Sequence, residues 1–384
     1  MLGANEDTFY NPLEPPVTNV SKMITATAPH STPLPKPILK NASFNHDPDR
    51  VPLTVDELVR SRASLGSEQP VICYPRTGIE YVDYPLRQLD IFSFRVAGAI
   101  AAKVPSRASS RDTPTVVSLL GTSDLSYLVM LLAVAKLGHT GLLLSTRISI
   151  EAYVSLLERT NSRHVFIHES FKATAEELKQ RLPDLQVEVI PTQEFFNYPI
   201  PEGNVDTNMV PWLDPVAESK HLAWIIHSSG STGLPKPIYQ TQAAAVRNYS
   251  GHMNMSGFIT LPLYHNHGIS VLFRTIYSSK RLYLYNAELP LTRQHLLDIM
   301  QAHPLEIFYG VPYALKLLAE TEEGIAALAQ FKAVMFGGSA CPDSLGNLLV
   351  ENNVNLISHY GSYVYVDIMV DLWLTWTVER KLVS

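Results

Sequence analysis

Cysteine is scarce in this chain of 384 residues, and the two cysteines that it contains lie far apart. Cys73 and Cys341 form no Cys-x-x-Cys pair, which argues against a disulfide framework and against a metal knuckle. Positive charge is also limited, because 30 Lys and Arg residues face 36 Asp and Glu residues and leave a formal net charge of −6. A surface for nucleic acid needs clustered Lys and Arg, so nucleic acid is not expected as a partner.

Long uncharged apolar runs are missing as well. No such run reaches the roughly 18 residues that a membrane-spanning helix needs, and no basic-then-apolar signal segment opens the chain. We therefore expect a cytoplasmic protein without a membrane partner. The hydrophobic content of 46% and the charged content of 17% are typical of a globular protein, and the length allows two or three domains.

Short apolar stretches alternate with helical patterns through most of the chain. Residues 115–120, 141–144 and 164–167 are predicted strands separated by helices, and a second set of the same kind begins near residue 281. Strands that alternate with helices indicate a parallel sheet covered on both faces. The sequence therefore predicts an α/β fold with two βα-layered lobes. Residues 1–45, rich in Pro, Thr and Asn, are expected to form a mobile tail.

A segment rich in hydroxyls and glycines follows the apolar run 223–226. Glycines let backbone N–H groups approach phosphate oxygens, hydroxyls add donors, and a lysine adds a compact positive charge. Pro235 and Pro237, on either side of that lysine, forbid the helix start of a Walker A loop, so the segment is predicted to join two strands. A flexible surface loop is the competing interpretation. The candidate phosphate-binding residues are Ser228, Ser229, Gly230, Ser231, Thr232, Gly233 and Lys236.

A second unusual cluster occupies residues 261–268, with the sequence Leu-Pro-Leu-Tyr-His-Asn-His-Gly. On a strand, His265 and His267 would point the same way and would look like a pair of metal ligands. No third ligand is near in sequence, so a zinc site is the weaker interpretation and no metal ligands are assigned. The competing interpretation is one histidine bonded in the core beside an exposed one.

Two further segments follow predicted strands near the end of the chain. Gly337 and Gly338, which precede Ser339 and Ala340, would let the backbone approach a flat ligand. A plain strand-to-helix turn would also explain these glycines. The other segment is His359-Tyr360-Gly361-Ser362.

These segments resemble those of the adenylate-forming superfamily, which includes acyl-CoA synthetases and the adenylation domains of nonribosomal peptide synthetases. The first segment is similar to the superfamily's phosphate loop, with Pro237 in place of the usual glycine, and the stretch 274–287 looks like the fungal adenylate-forming reductases in particular. The resemblance implies ATP as a cofactor, with Lys236 and His265 as catalytic residues. Tyr264, His265 and Asn266 would then shape the pocket for the substrate carboxylate.

The resemblance also implies an adenine site with an incomplete Mg²⁺ site. The residues that it assigns to the nucleotide are Gly338, Ser339, Ala340, His359, Tyr360, Gly361 and Ser362. Tyr360, Gly361 and Ser362 match the first three residues of the superfamily's Tyr-Gly-Ser-Thr-Glu signature. Tyr363 and Val364 then stand where the superfamily has a threonine that touches the α-phosphate and a glutamate that holds magnesium.

The match ends at this point, so we expect residues 46–362 to be the truncated N-terminal part of an adenylation domain. Residues 363–384 are expected to be a tail foreign to the family, although their alternating pattern predicts a strand. We expect the small C-terminal lid, the carrier-protein domain and the reductase domain to be absent from this chain. The resemblance implies ATP-dependent activation of a small-molecule carboxylic acid as an acyl-adenylate in fungal secondary metabolism, impaired by these losses. The alternative is a non-catalytic nucleotide-binding remnant or a mis-spliced product.

Overall fold

The computed structural model describes residues 51–65, 68–199, 210, 213–228, 233–365 and 368–375, with side chains described as far as His359. The strands are β1 (Pro70–Pro75), β2 (Tyr81–Pro85), β3 (Val116–Leu120), β4 (Thr140–Leu144), β5 (His164–Ile167), β6 (Gln186–Val189), β7 (Leu222–His227), β8 (Pro237–Thr241), β9 (Gly257–Ile259), β10 (Leu282–Leu284), β11 (Ile307–Gly310), β12 (Ala333–Phe336), β13 (Leu356–Tyr365) and β14 (Ile368–Thr375).

The helices, with a short 3-10 helix at Glu169–Phe171, are α1 (Val55–Ala63), α2 (Leu86–Ile100), α3 (Leu125–Lys136), α4 (Ile150–Arg159), α5 (Lys172–Arg181), α6 (Gln193–Phe196), α7 (Pro215–Glu218), α8 (Gln242–Tyr249), α9 (Asn266–Ser278), α10 (Arg293–Ala302), α11 (Pro312–Ala319), α12 (Glu322–Ala329) and α13 (Asp343–Glu351).

Two mixed sheets organise these elements. Eight of the described strands form the first sheet, in the order β14-β13-β12-β11-β9-β10-β1-β2. Its strands run parallel from β13 to β1, and β2 and β14 add antiparallel edges. The second sheet has the order β6-β5-β3-β4-β7-β8 and is parallel except for β8. The predicted α/β class with two βα-layered lobes is confirmed.

Successive residues of the central strands pack into different layers. In the first sheet, Ile307 and Tyr309 pack with α1, α2, α3, α8 and α9, whereas Phe308 packs with the outer helices α10–α13. In the second sheet, Trp224 enters the same shared layer, whereas Ile225 packs with α4 and α5. This alternation is the two-residue period of a strand. It places these helices between the sheets and directs both sheets at one common core.

Helix α3 lies in this shared layer and is buried along its whole length. The Asp124 carboxylate caps it by accepting the Tyr127 backbone N–H at 2.8 Å, which satisfies a donor that a helix start leaves open. Burial on all sides explains why its sequence is apolar throughout rather than along one stripe. The helix has only 12 residues. Within the described part of the chain, no helix is long and apolar enough to cross a membrane.

The last two strands differ from the sequence prediction. Residues 354–358 are predicted as a short strand, but β13 continues to Tyr365 and pairs with β14 from Ile357 opposite Thr375 to Tyr365 opposite Ile368. The alternation over 363–374 therefore belongs to two antiparallel strands rather than to one. Apolar alternation identified strand conformation here, but no Gly or Pro lies between the two segments in the sequence to mark them as separate strands.

Candidate functional site

The segment around residue 265 connects strand β9 to helix α9 and forms the start of that helix. His265 is the N-cap, its carbonyl oxygen accepts the Ile269 N–H at 3.0 Å, and its own N–H donates to the Pro262 oxygen at 3.2 Å. The prediction that His265 and His267 could share one strand face is wrong. Two positions apart on a helix, the side chains point in nearly opposite directions. Over the described residues, no group of three or more His, Cys, Asp or Glu is placed to hold a metal ion.

The predicted phosphate loop joins β7 to β8, an antiparallel pair, as the two prolines indicated. Its two ends are tied together, because the Ser228 N–H donates to the Lys236 oxygen and the Lys236 N–H donates to Ser228 Oγ, both at 3.0 Å. Lys236 is exposed at this neck. Gly233 has a φ of 149° and open space where a Cβ would lie. The remaining loop positions lie outside the described residues: Ser229, Gly230, Ser231 and Thr232.

His227 closes the base of the loop and is only 7% exposed. Its Nε2 accepts the backbone N–H of Ser145 at 3.0 Å, and its Nδ1 donates to the carbonyl oxygen of Ser228 at 2.9 Å. Burial lowers the pKa of His227, against the opposing effect of the Ser228 hydrogen bond. A buried histidine thus joins the end of β4 to the first residue of the loop.

Tyr264 and Asn266 connect the start of α9 to the second sheet. The Tyr264 hydroxyl lies 2.9 Å from Thr146 Oγ1, just beyond the end of β4. The Asn266 Oδ1 accepts a hydrogen bond from Gln240 Nε2 on β8 at 3.1 Å. The predicted acid-binding residues are therefore anchored to the strands that border the phosphate loop.

His265 lies in a partly desolvated, positively charged environment. Desolvation is the main cause that lowers its pKa, and the positive charges of His227, when that ring is protonated, and of Arg147 lower it further. The residue still has an exposed surface, as has Arg147. A histidine with a lowered pKa is a neutral imidazole at pH 7, so one ring nitrogen can accept a hydrogen bond while the other donates.

Gly337, His267 and His359 meet beyond the end of β12. A Cβ on Gly337 would lie 2.8 Å from the His359 carbonyl oxygen and 2.9 Å from His267 Nδ1. The two imidazole rings are in T-shaped contact, with centroids 4.2 Å apart. Residues 338–340 follow as an exposed turn in which Gly338 has a positive φ of 84°. At position 337 only glycine lets the backbone approach His267 and His359 this closely.

The rest of the predicted adenine segment lies within β13. The backbones of Tyr360, Gly361 and Ser362 pair with Leu372, Asp371 and Val370 of β14. Their side chains are outside the described part of the chain, so the expected contacts of these residues with the nucleotide stay a prediction.

Several residues at the site were not predicted from the sequence. Three of them, Ser145, Thr146 and Arg147, directly follow β4. Ser145 is bonded to His227, which precedes the predicted loop, Thr146 is bonded to Tyr264, and Arg147 lies near His265. His227 and Gln240 lie on β7 and β8. A usable signal did exist for the first three, because polar residues directly after a buried strand mark the carboxyl edge at which α/β sheets bind ligands.

Comparisons with known proteins identify the family and the fold. The sequence profile of the family described as AMP-binding enzyme matches residues 87–362. A carboxylic acid reductase of Neurospora crassa is 30% identical over 277 residues, which cover 66% of this chain and 25% of that protein. An adenylate-forming reductase of Aspergillus terreus is 27% identical over 265 residues, covering 64% of this chain and 24% of that protein. The chain thus spans about a quarter of the length of these curated relatives.

Among solved structures, the O-succinylbenzoate coenzyme A synthetase of Bacillus subtilis in complex with AMP has a similar fold. The TM-score is 0.62 at 21% identity, and the match covers 82% of this chain and 76% of that chain. At this identity the likeness concerns the fold alone.

Proposed function

This chain belongs to the family of AMP-binding enzymes, and we propose that it binds ATP and activates a carboxylic acid as an acyl-adenylate. The observation that supports this most strongly is the position of residues 264–267. Hydrogen bonds tie them to β8 and to the residue pair after β4 that also holds the phosphate loop. Within this segment, His267 contacts Gly337 and His359, next to the turn 338–340 that we propose as the adenine site. A carboxylate bound at the start of α9 would therefore lie next to the α-phosphate of a nucleotide bound between the phosphate loop and the turn 338–340.

The loop between β7 and β8 suits the triphosphate of ATP. Its neck is closed by two hydrogen bonds, and Lys236 is exposed there with its ammonium available to phosphate oxygens. Gly233 has no neighbour within 4 Å of a Cβ position, which leaves room for a close ligand. At the other end, the exposed turn 338–340 offers main chain to a flat adenine ring. The residues present therefore fit ATP.

The carboxylate of the acid would lie against the start of α9. A helix of 13 residues presents a partial positive charge at its N-terminus, which favours an anion. His265 supplies a neutral imidazole that can donate one hydrogen bond, and the guanidinium of Arg147 adds positive charge beside it. With both reactants held in place, attack of the carboxylate on the α-phosphorus depends chiefly on positioning and on neutralised charge.

The residues do not fit a magnesium ion held by the protein. Position 364, where the family signature has its glutamate, is valine, whose side chain offers no oxygen to a hard cation. Charge on the phosphates is then offset mainly by Lys236, Arg147 and the loop donors. Loss of one strong charge-stabilising donor lowers a rate by about 10²–10³-fold, so we expect slow adenylation.

The replacements at positions 363 and 364 favour a second candidate, which is nucleotide binding without turnover. In that case the loop and the adenine turn still hold ATP, but no acyl-adenylate forms. Binding and turnover must therefore be measured separately.

Nucleotide binding is tested by calorimetry on the Lys236→Ala variant. Losing a charge-assisted contact costs about 1.5–3 kcal/mol, so ATP should bind roughly 10 to 150 times more weakly, with little change in melting temperature. Lys220→Ala is the matched control, because Lys220 is also exposed and lies just before the opposite end of β7. Equal ATP affinity of Lys236→Ala and the parent would remove the loop from the ligand site.

A further inference from the structure

The imidazole of His227 uses both of its nitrogens at the base of the phosphate loop. Nδ1 faces the Ser228 carbonyl oxygen at 2.9 Å, and Nε2 faces the Ser145 backbone nitrogen at 3.0 Å. A carbonyl oxygen can only accept and a backbone N–H can only donate. Nδ1 therefore carries the proton and Nε2 carries the lone pair. This arrangement is available to the neutral ring in one tautomer and to no other form.

The residue that donates to His227 belongs to a larger set of contacts. The carbonyl oxygen of Ser145 accepts the Tyr153 hydroxyl of α4 at 2.7 Å, so both of its backbone polar groups are fixed. The next residue, Thr146, bonds the Tyr264 hydroxyl in the proposed acid site. His227 thus connects the first residue of the phosphate loop with the strand end that positions Tyr264.

A proton on Nε2 would break this connection. An imidazolium cannot accept the Ser145 N–H, and the two N–H groups would then face each other in a buried place. The titratable group that acts on this ring is His265, which follows β9 and which is itself affected by Arg147 after β4. The hydroxyls of Tyr153 and Tyr264 contact Ser145 and Thr146 respectively. None of these is a carboxylate that could stabilise the new charge. Burial, moreover, already favours the neutral form.

We propose that His227 is a positioning residue, which in its neutral Nδ1–H form holds Ser228, the first residue of the phosphate loop, in register with Ser145 and the acid-binding segment, and whose protonation breaks the bond to Ser145. ATP affinity then falls as the pH falls below the ordinary histidine range. The inference rests on the proposed function only for the identity of the ligand. The hydrogen bonds to Ser145 and Ser228 exist without it.

Three substitutions separate positioning from simple packing. In His227→Gln the side-chain oxygen can accept the Ser145 N–H at every pH, and in His227→Asn the amide can donate to the Ser228 carbonyl. His227→Phe keeps the ring volume without either bond. His295→Gln on α10 serves as the control, because its ring contacts Tyr285 and Pro290 rather than the loop. Because the pKa of His227 is lowered, ATP dissociation constants are measured from about pH 8 to about pH 4.5. Protonation of ATP itself affects all variants equally and cancels in the comparison.

The parent and His295→Gln should lose about tenfold in ATP affinity over this range relative to His227→Gln. His227→Phe should bind about tenfold more weakly already near pH 8, and His227→Asn should fall between. If the parent and His227→Gln share one pH profile, or if His227→Phe binds ATP like the parent, the positioning role is refuted.

Amide exchange without ligand gives a second readout that does not depend on ATP. In the parent, the Ser145 amide should be protected near pH 8 and should lose about tenfold in protection factor at the acid end of the range, below the lowered pKa of His227. Constant protection would overturn the proposal, even if the variants fail to fold. Failure of the parent to bind ATP at any pH would refute the proposed function instead, and the exchange result would still decide the role of His227.

Discussion

At the scale of single residues, the site depends on how closely its backbone segments approach one another. Gly268, in the first turn of α9, lies so near the preceding segment that a Cβ would be 2.0 Å from the Pro262 oxygen and 2.7 Å from its carbonyl carbon. Both obstacles are backbone atoms, which cannot rotate away as a side chain can. The spacing between residues 262 and 268 sets where Tyr264 and His265 lie.

Gly268→Ala should therefore displace the segment that carries His265. We expect a loss of about 1–3 kcal/mol in the free energy of unfolding, as for other overpacked sites, seen as a lower melting temperature. Gly251→Ala is the control, because the nearest atom to a Cβ there, the Asn248 oxygen, is 3.4 Å away. Equal melting temperatures for the two variants would contradict the close approach at Gly268.

At the scale of secondary-structure elements, a buried ionic cluster joins the helices between the sheets. The Lys136 ammonium of α3 is inaccessible to solvent and lies 3.0 Å from Asp56 of α1 and 2.6 Å from Asp90 of α2. Arg60 contacts the same Asp56 carboxylate at 2.6 Å. Burial raises the pKa of Asp56, but the charges of Arg60 and Lys136 outweigh it, and the pKa lies below its usual range.

Lys136→Met should leave two carboxylates in this layer without their shared cation. Breaking a buried pair by removing one partner costs about 3–5 kcal/mol, measurable by urea unfolding. Lys179→Met, at an exposed pair with Glu176 on α5, should cost less than about 1 kcal/mol. Because the folded pKa of Asp56 is lowered, its contribution is present above about pH 3.8 and is lost as the pH falls further. Equal losses for the two variants would show that the cluster does not stabilise the helix layer.

At the scale of the whole molecule, the sequence predicts the architecture better than it predicts the site. Apolar alternation and helix signals are local, and they identify most strands, such as 115–120 and 164–167, close to their observed bounds. The strand–loop–strand form of the phosphate segment also follows from local chemistry, since Pro235 and Pro237 cannot begin a helix. The fold class could therefore be predicted from local patterns alone.

Contacts between distant residues could not be predicted in this way. His227 and Ser145 lie 82 positions apart, and Thr146 and Tyr264 lie 118 positions apart. No periodicity indicates which strand ends meet, because pairing depends on sheet order and on the layer shared by the two sheets. The helix that starts at Asn266 was missed for a related reason: its cap is His265, which makes no side-chain capping bond, so the usual capping signal is missing.

Exchange of labelled pyrophosphate into ATP that depends on an added carboxylic acid measures adenylation directly. With a panel of aliphatic and aromatic acids, we expect slow exchange with at least one acid, abolished in Lys236→Ala and retained in Lys220→Ala. The double variant Tyr363→Thr, Val364→Glu, which restores the family signature, should raise that rate by about 10²–10³-fold. A folded, ATP-binding chain that shows no acid-dependent exchange, either as the parent or as the double variant, would contradict acyl-adenylate formation.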